Sequence, residues 1–318
     1  MSGWWRNRLI GRTPAGPLPP PGPGASGTMR DRISSGTTLL ERSRVETPEL
    51  GPLAKLPPFS PVIIRVLQLF GNEEVDLADV SKLVETDPAL TGEILGVVNS
   101  PLYPISRSVT SASHGVALLG ADQIKELATT LALRSMMRGS PKSGLVGRLW
   151  RHSVGSAVIA RQLAPLFGVD KGLGYTAAII HDLGRLGLLA AHGEAYARLT
   201  AAEHESAVAA LAAERDLFGM DHCSAGLLLS RSWGLPVMFQ DAIAHHHRSG
   251  CSAAVLGLVH AACRIADASA FESTWYRERR SASATAETCV QATAREQVTR
   301  TLGSLKLAAE EALQSFGF

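Results

Sequence analysis

Between Leu53 and Arg138 the apolar positions recur at helical spacing, and no stretch alternates in the two-residue rhythm of a strand. PPFSPVIIRVLQLF opens with prolines suited to a first helical turn and sets Ile63, Val66, Leu67 and Phe70 on one face. DLADVSKLVE repeats the pattern with Leu77, Val80, Leu83 and Val84. In TDPALTGEILGVVNSP, Asp87 suits the N-cap and Pro88 the first helical position, while Pro101 forbids continuation. VALLGADQIKELATTLALRSMM adds Ile124, Leu127, Ala128 and Leu131 as one further helical run. These segments predict a helical lobe over 53–138.

After a short SPKSG linker, helical periodicity resumes and predicts a second lobe over 145–270. Its first helix, RLWRHSVGSAVIARQLAPLF, turns Leu149, Ala157, Leu163 and Phe167 inward. Beyond 271, RERRSASATAET reads as a polar loop. A last amphipathic helix follows, with Val298, Leu302, Leu305, Ala309, Leu313 and Phe316 in one stripe. The expected fold class is all-α and two-lobed, covering 51–270, with 271–318 as loop plus terminal helix. Residues 1–28 hold six prolines and six glycines, including PLPPPGPG. Such a segment buries too little apolar surface to offset its ordering entropy, so 1–50 is expected to be a disordered tail.

Composition narrows the functional classes. A hydrophobic fraction of 45% with 19% charged residues is ordinary for a globular chain. Net charge of +2 argues against a dedicated binder of nucleic acid or membrane surface. No apolar run reaches the roughly 18 residues of a membrane span, and MSGWWRNRLIGRTPAG lacks the apolar core of a secretory signal. Cys223, Cys251, Cys263 and Cys289 show no CxxC spacing and read as free thiols of a cytoplasmic protein rather than a zinc cage. No Gly-rich phosphate loop and no Ser/His/Asp nucleophile pattern occurs.

The chemistry lies in the histidines. An isolated His-Asp pair is weak evidence, since chance supplies roughly a third of such a pair in a chain of this composition. Here His152 sits within a helix, His181-Asp182 end an apolar run, His222 opens HCSAG, and His245-His246-His247 close AIAHHH. Imidazoles and a carboxylate converging in a helical bundle can hold one or two ions such as iron or manganese, with the aspartate able to bridge them. A water on such an ion becomes a nucleophile suited to phosphoester cleavage. Each residue also has a plainer reading. His152 can be a satisfied half-buried histidine, and His181-Asp182 a hydrogen-bonded pair finishing a helix. Asp221 can cap the helix that His222 opens, and the triple histidine can be a solvated helix end whose charge suits the dipole. His114, His192, His204 and His260 stand without company.

The order of these segments resembles the HD phosphohydrolase superfamily and, more narrowly, the HDOD domain, the regulatory relative of the HD and HD-GYP families. In the first lobe the likeness rests on LPPFSPVIIRVLQL, on VETDPALTGEILGVVNSPLY and on VALLGADQIKELA. In the second it rests on LWRHSVGSAVIARQLA, AAIIHDLGRLGLL, FGMDHCSAGLLLSRSWGLPVMFQDAIAHHH and VLGLVHAACRIA. The resemblance places the family's ligand positions on His152, His181, Asp182, His222, His246 and His247. The departures matter equally. VHAAC puts Cys263 where metal-binding relatives carry an aspartate, with Asp267 one turn further on and able to substitute only through a slip of register. HDLGR carries Arg185 for the usual lysine, and no GYP signature follows AIAHHHRSG. The resemblance therefore implies a cytoplasmic signal-transduction regulator with a vestigial metal site and little catalysis. It would act through protein partners or by sensing a nucleotide-type ligand. A divalent metal (iron, manganese or zinc) is the one cofactor the pattern admits, and the Cys263 thiolate remains a donor for iron or zinc. The alternative is an active metal-dependent phosphohydrolase acting on nucleotides or cyclic dinucleotides.

Overall fold

A computed structural model describes residues 50–70, 76–99, 108–138, 144–250, 253–276, 281–290 and 292–316. The expected tail (apart from Leu50), Pro101, Cys251 and most of the SPKSG linker lie outside them. Residues 48–318 form one unit. Its described elements are helical except for a two-residue parallel pairing of β1 (Glu203–His204) with β2 (Trp275–Tyr276).

The N-terminal helices begin where their caps dictate. Ser60 accepts from the Ile63 N–H and Pro61 opens α1 (Pro61–Gln68). Asp76 caps α2 (Leu77–Glu85), and Asp87 accepts from Ala89 and Leu90 at the head of α3 (Pro88–Val98). Ile63, Val66, Leu67, Phe70, Val80 and Val84 are buried as the periodicity requires. Leu77 is not: at the first position of α2 it is 45% exposed, because the chain enters that helix from the solvent side. The expected single run after Val116 is also broken. Gly120, at φ +80°, stops α4 (Ala112–Leu119), and α5 (Ala121–Arg138) starts afresh.

The longer α6 (Gly144–Leu163) packs against α7 (Lys171–Ile180), α13 (Ala254–Ala268) and α15 (Ala292–Phe316). Leu149, Ala157 and Leu163 are buried, while Phe167 closes a short 3-10 turn and stays half-exposed. The polar loop expected beyond 271 is corrected in part. Ser281 caps a further helix, α14 (Ala282–Cys289), whose Thr285 and Ala286 are buried. Along α15 the inward stripe runs through Val298, Leu305, Ala309 and Phe316, with Leu302 and Leu313 only half-covered. Phe316 meets Trp150 of α6 edge-on at 6.2 Å, so the last helix completes the core.

The remaining helices are α8 (Leu183–His192), α9 (Glu194–Ala201), α10 (Ala207–Phe218), α11 (His222–Ser232) and α12 (Val237–His245). Of these, α8 and α11 cross in backbone contact. A Cβ on Gly184 would lie 1.8 Å from the His222 carbonyl oxygen and 2.6 Å from the Gly226 nitrogen. The glycine of HDLGR is thus the residue that lets the His181-Asp182 corner and the start of α11 touch.

A buried histidine centre

Six helices deliver side chains to one point. His152 comes from mid-α6, His181 from the C-cap of α7, and Asp182 from the entry to α8. His222 comes from the first position of α11, His246 and His247 from the end of α12, and Cys263 from α13. Asp182 makes no cap hydrogen bond to its own helix. Its Oδ2 instead accepts from the Arg185 Nε at 3.0 Å and lies 3.7 Å from the Nε2 atoms of both His152 and His181. Its Oδ1 lies 3.5 Å from His222 Nε2 and 3.4 Å from His246 Nε2. The carboxylate therefore stands between two groups of imidazoles.

Hydrogen bonding behind the rings decides which nitrogens face inward. The Nδ1–H groups of His152, His181 and His246 donate to the carbonyls of Phe271 (2.8 Å), Ala178 (2.6 Å) and Ile243 (2.9 Å). His222 Nδ1 donates to Glu214 Oε2 at 2.7 Å. A neutral imidazole carries one proton, so four Nε2 lone pairs converge on Asp182. His152 Nε2 is 3.2 Å from His181 Nε2, and His222 Nε2 is 3.4 Å and 3.1 Å from those of His246 and His247. Asp182 Oδ1, fully shielded from solvent, has no hydrogen-bond donor among the described residues. Opposed lone pairs around an unpartnered carboxylate oxygen repel one another unless a proton or a cation lies among them. The donor set thus fits a divalent metal.

Burial sets the electrostatics. It pushes the imidazolium pKa of His181 and His247 well below the ordinary value. Burial would raise the Asp182 carboxyl, but Arg185 and the neighbouring imidazoles outweigh it and hold the group well below the usual carboxylate range. At His222, burial and Arg185 pull downward while Glu214 pulls upward, and the pKa rises to about 9. Glu214 itself, despite burial, is drawn to about 2 by His222.

Some partners in this centre, Glu214 above all, carry no signal in the sequence. Glu214, eight residues before His222, accepts from both its ring and its backbone N–H (2.8 Å). Arg185 donates to Thr274 Oγ1 at 3.0 Å and reaches Tyr196 and Glu214 at 3.5 Å. Only 1% exposed, it is spent on this network rather than aimed at an incoming phosphate. Asp267 sits 3.2 Å from His152 Nδ1, behind the ring, so no slip of register brings it to the metal-facing side. Cys263 does face that side, with Sγ 3.6 Å from His152 Nε2, and burial holds its thiol well above the usual pKa. Cys223, Cys263 and Cys289 are free thiols, and two of them stand near imidazoles. Cys263 groups with His152 and His181, and Cys223 groups with His222, His246 and His247. The CxxC criterion missed both because their partners come from other helices. Of the other histidines, His245 turns back to the Asp241 carbonyl, and His260 donates to the His246 carbonyl at 2.8 Å. A cleft of about 440 Å³ opens where Leu56, Phe59, Leu90, Leu131 and Ala190 meet, and no residue of the histidine centre lines it.

The sequence profile of the HDOD domain matches residues 56–249. An HDOD domain protein of unknown function from Geobacter sulfurreducens superimposes with a TM-score of 0.65 at 21% identity, covering 82% of this chain and 97% of that one. A proposed signal transduction protein from Marinobacter aquaeolei VT8 gives 0.64 at 19% identity over 83% and 60% of the two chains. A proposed phosphohydrolase from Shewanella amazonensis SB2B gives 0.59 at 21% over 82% and 96%. At these identities the likeness is one of fold. An uncharacterized protein from Treponema pallidum (strain Nichols) is 22% identical over 68% of this chain, which spans only 41% of that relative's length.

Proposed function

Because the chain belongs to the HDOD domain family, we propose that it is a cytoplasmic signal-transduction regulator whose histidine centre serves as an internal metal pin rather than a catalytic site. One observation carries this reading: the converged donors are closed off from solvent. His152, His181, His222 and His246 are at most 1% exposed and Asp182 is 5% exposed. His247 alone of the six predicted ligand residues is half-exposed, so a phosphoester could approach only that edge of the centre. Arg185 supports the same reading, since its guanidinium is already committed to Asp182, Thr274, Tyr196 and Glu214.

A bound divalent ion would neutralise Asp182 and tie the α7–α8 corner to α12 through His181, Asp182 and His246. The protein's own residues do the rest. Backbone carbonyls lock three imidazole tautomers, Glu214 orients His222, and Arg185 holds Asp182 in place. We assign 53–138 and 145–270 as the two lobes of the regulator, acting through protein partners or a nucleotide-type ligand. No helix among the described residues is long and apolar enough to cross a membrane.

The test combines elemental analysis of untagged protein, purified without chelator, with turnover assays on cyclic dinucleotides and nucleoside phosphates in added manganese or iron. Bound metal, negligible turnover and a thermal midpoint lowered by chelation are the expected results. Robust turnover, abolished in a His181→Ala, Asp182→Ala double variant, would make the protein a phosphohydrolase instead. Absence of metal would reduce the centre to a proton-filled relic.

A further inference from the structure

Each end of the centre sets a thiol among imidazoles, and the geometry at the Asp182 Oδ2 end predicts which metal enters there. On the Asp182 Oδ1 side, the nearest nitrogens are those of His222 and His246. On the Oδ2 side stand His152, His181 and the Cys263 thiol, all buried, with Sγ at 3.6 Å from His152 Nε2 and the two Nε2 atoms 3.2 Å apart. A tetrahedral ion with metal–nitrogen bonds of about 2.0–2.1 Å and a metal–sulfur bond of about 2.3 Å separates its nitrogens by about 3.3 Å and nitrogen from sulfur by about 3.5 Å. The observed edges match those spacings before any ion is placed. Asp182 Oδ2, 3.7 Å from each nitrogen, is available as a fourth donor on a slightly longer edge.

Resting on the metal-pin reading above, we infer that His152, His181 and Cys263 form a thiophilic, zinc-class site, with the Cys263 thiolate as a direct ligand. Binding would release the thiol proton to solvent as the sulfur–metal bond forms, leaving one proton per ion taken up. The thiolate supplies the negative charge that an aspartate would otherwise contribute, while its softness discriminates against manganese and magnesium, which favour oxygen ligands. The Phe271 carbonyl, accepting from His152 Nδ1 at 2.8 Å, holds that ring's Nε2 lone pair toward the site.

The test is a cobalt titration of the full chain carrying Cys223→Ser, Cys251→Ser and Cys289→Ser, so that Cys263 is the sole cysteine. A near-ultraviolet thiolate-to-cobalt charge-transfer band should rise and saturate at one equivalent. Zinc should abolish the band, and about a hundredfold excess of manganese should not. Adding Cys263→Ser should remove the band, whereas Cys263→Asp should keep the metal bound without it. If that triple variant fails to fold, the same spectra are taken on the wild-type chain and on Cys263→Asp, and an unchanged band overturns the inference. Stoichiometric cobalt without a charge-transfer band would also overturn the thiolate ligand while leaving the metal pin standing. Failure of cobalt, zinc and manganese alike to bind the wild-type chain would end both.

Discussion

The core around α1–α5 and the centre beneath α6–α13 solve different problems with the same element. In the first, helices meet through large apolar side chains such as Ile63, Leu67, Val80 and Ile94, and their glycines at 92 and 96 have open space around them. In the second, helices approach until backbones touch, as at Gly184 and Gly226, and the space gained holds four imidazoles, a carboxylate and a guanidinium. An apolar core requires filled space but no particular direction of contact, because dispersion is non-directional. Buried polar groups require direction as well, since each lone pair or proton left unmatched costs free energy on its own account.

The sharpest way to break that comparison is a single methyl group at equivalent-looking helical glycines. Gly184→Ala drives a Cβ into the His222 carbonyl and should cost about 4 kcal/mol or more, enough to forbid the folded state or displace α11 from α8. Urea denaturation, or loss of metal content where the variant still folds, reads the effect. Arg185→Met comes next. It strands Asp182 and Glu214 without their guanidinium, and removing one partner of a buried ion pair should cost about 3–5 kcal/mol. A loss below about 1 kcal/mol would show that Arg185 is exchangeable with packing and that the network is not what holds the centre.

In the apolar region, Ile94→Ala should cost about 2–5 kcal/mol through lost burial and the cavity left behind, with metal affinity unchanged. A change in metal binding would mean that the two regions are coupled. The smallest effect has the opposite sign. Gly96→Ala, on an exposed turn of α3 with nothing within 4 Å of the added methyl, should stabilise the protein by about 0.5–1 kcal/mol. A destabilising result would deny that the contrast between the glycines is one of space.

Helical periodicity and caps made much of α1–α3 legible, down to Asp87 and Pro88 at the head of α3. Where the reading slipped, local rules met a neighbour. Leu77 belongs to an apolar pattern but lies outside the contact surface, and RERRSASATAET holds part of a helix that is buried against its flanking helices α13 and α15. The order of the motif segments, through the family resemblance, singled out His152, His181, Asp182, His222, His246 and His247, and the packed helices bring these side chains to one place.

What the sequence determined alone was therefore composition, helix boundaries set by caps and prolines, and the identities of the inward-facing histidines. All of these depend on residues within a turn or two of one another. Only the tertiary structure decided that Glu214 locks His222, that Arg185 points into the protein, and that Cys223 and Cys263 join the two imidazole groups. Hydrogen bonds and ligand distances are set at a few ångströms, and the chain brings His152 to His181 across 29 residues and to Cys263 across 111. Only the crossing angles and close approaches of packed helices, which no local pattern encodes, fix which of them meet.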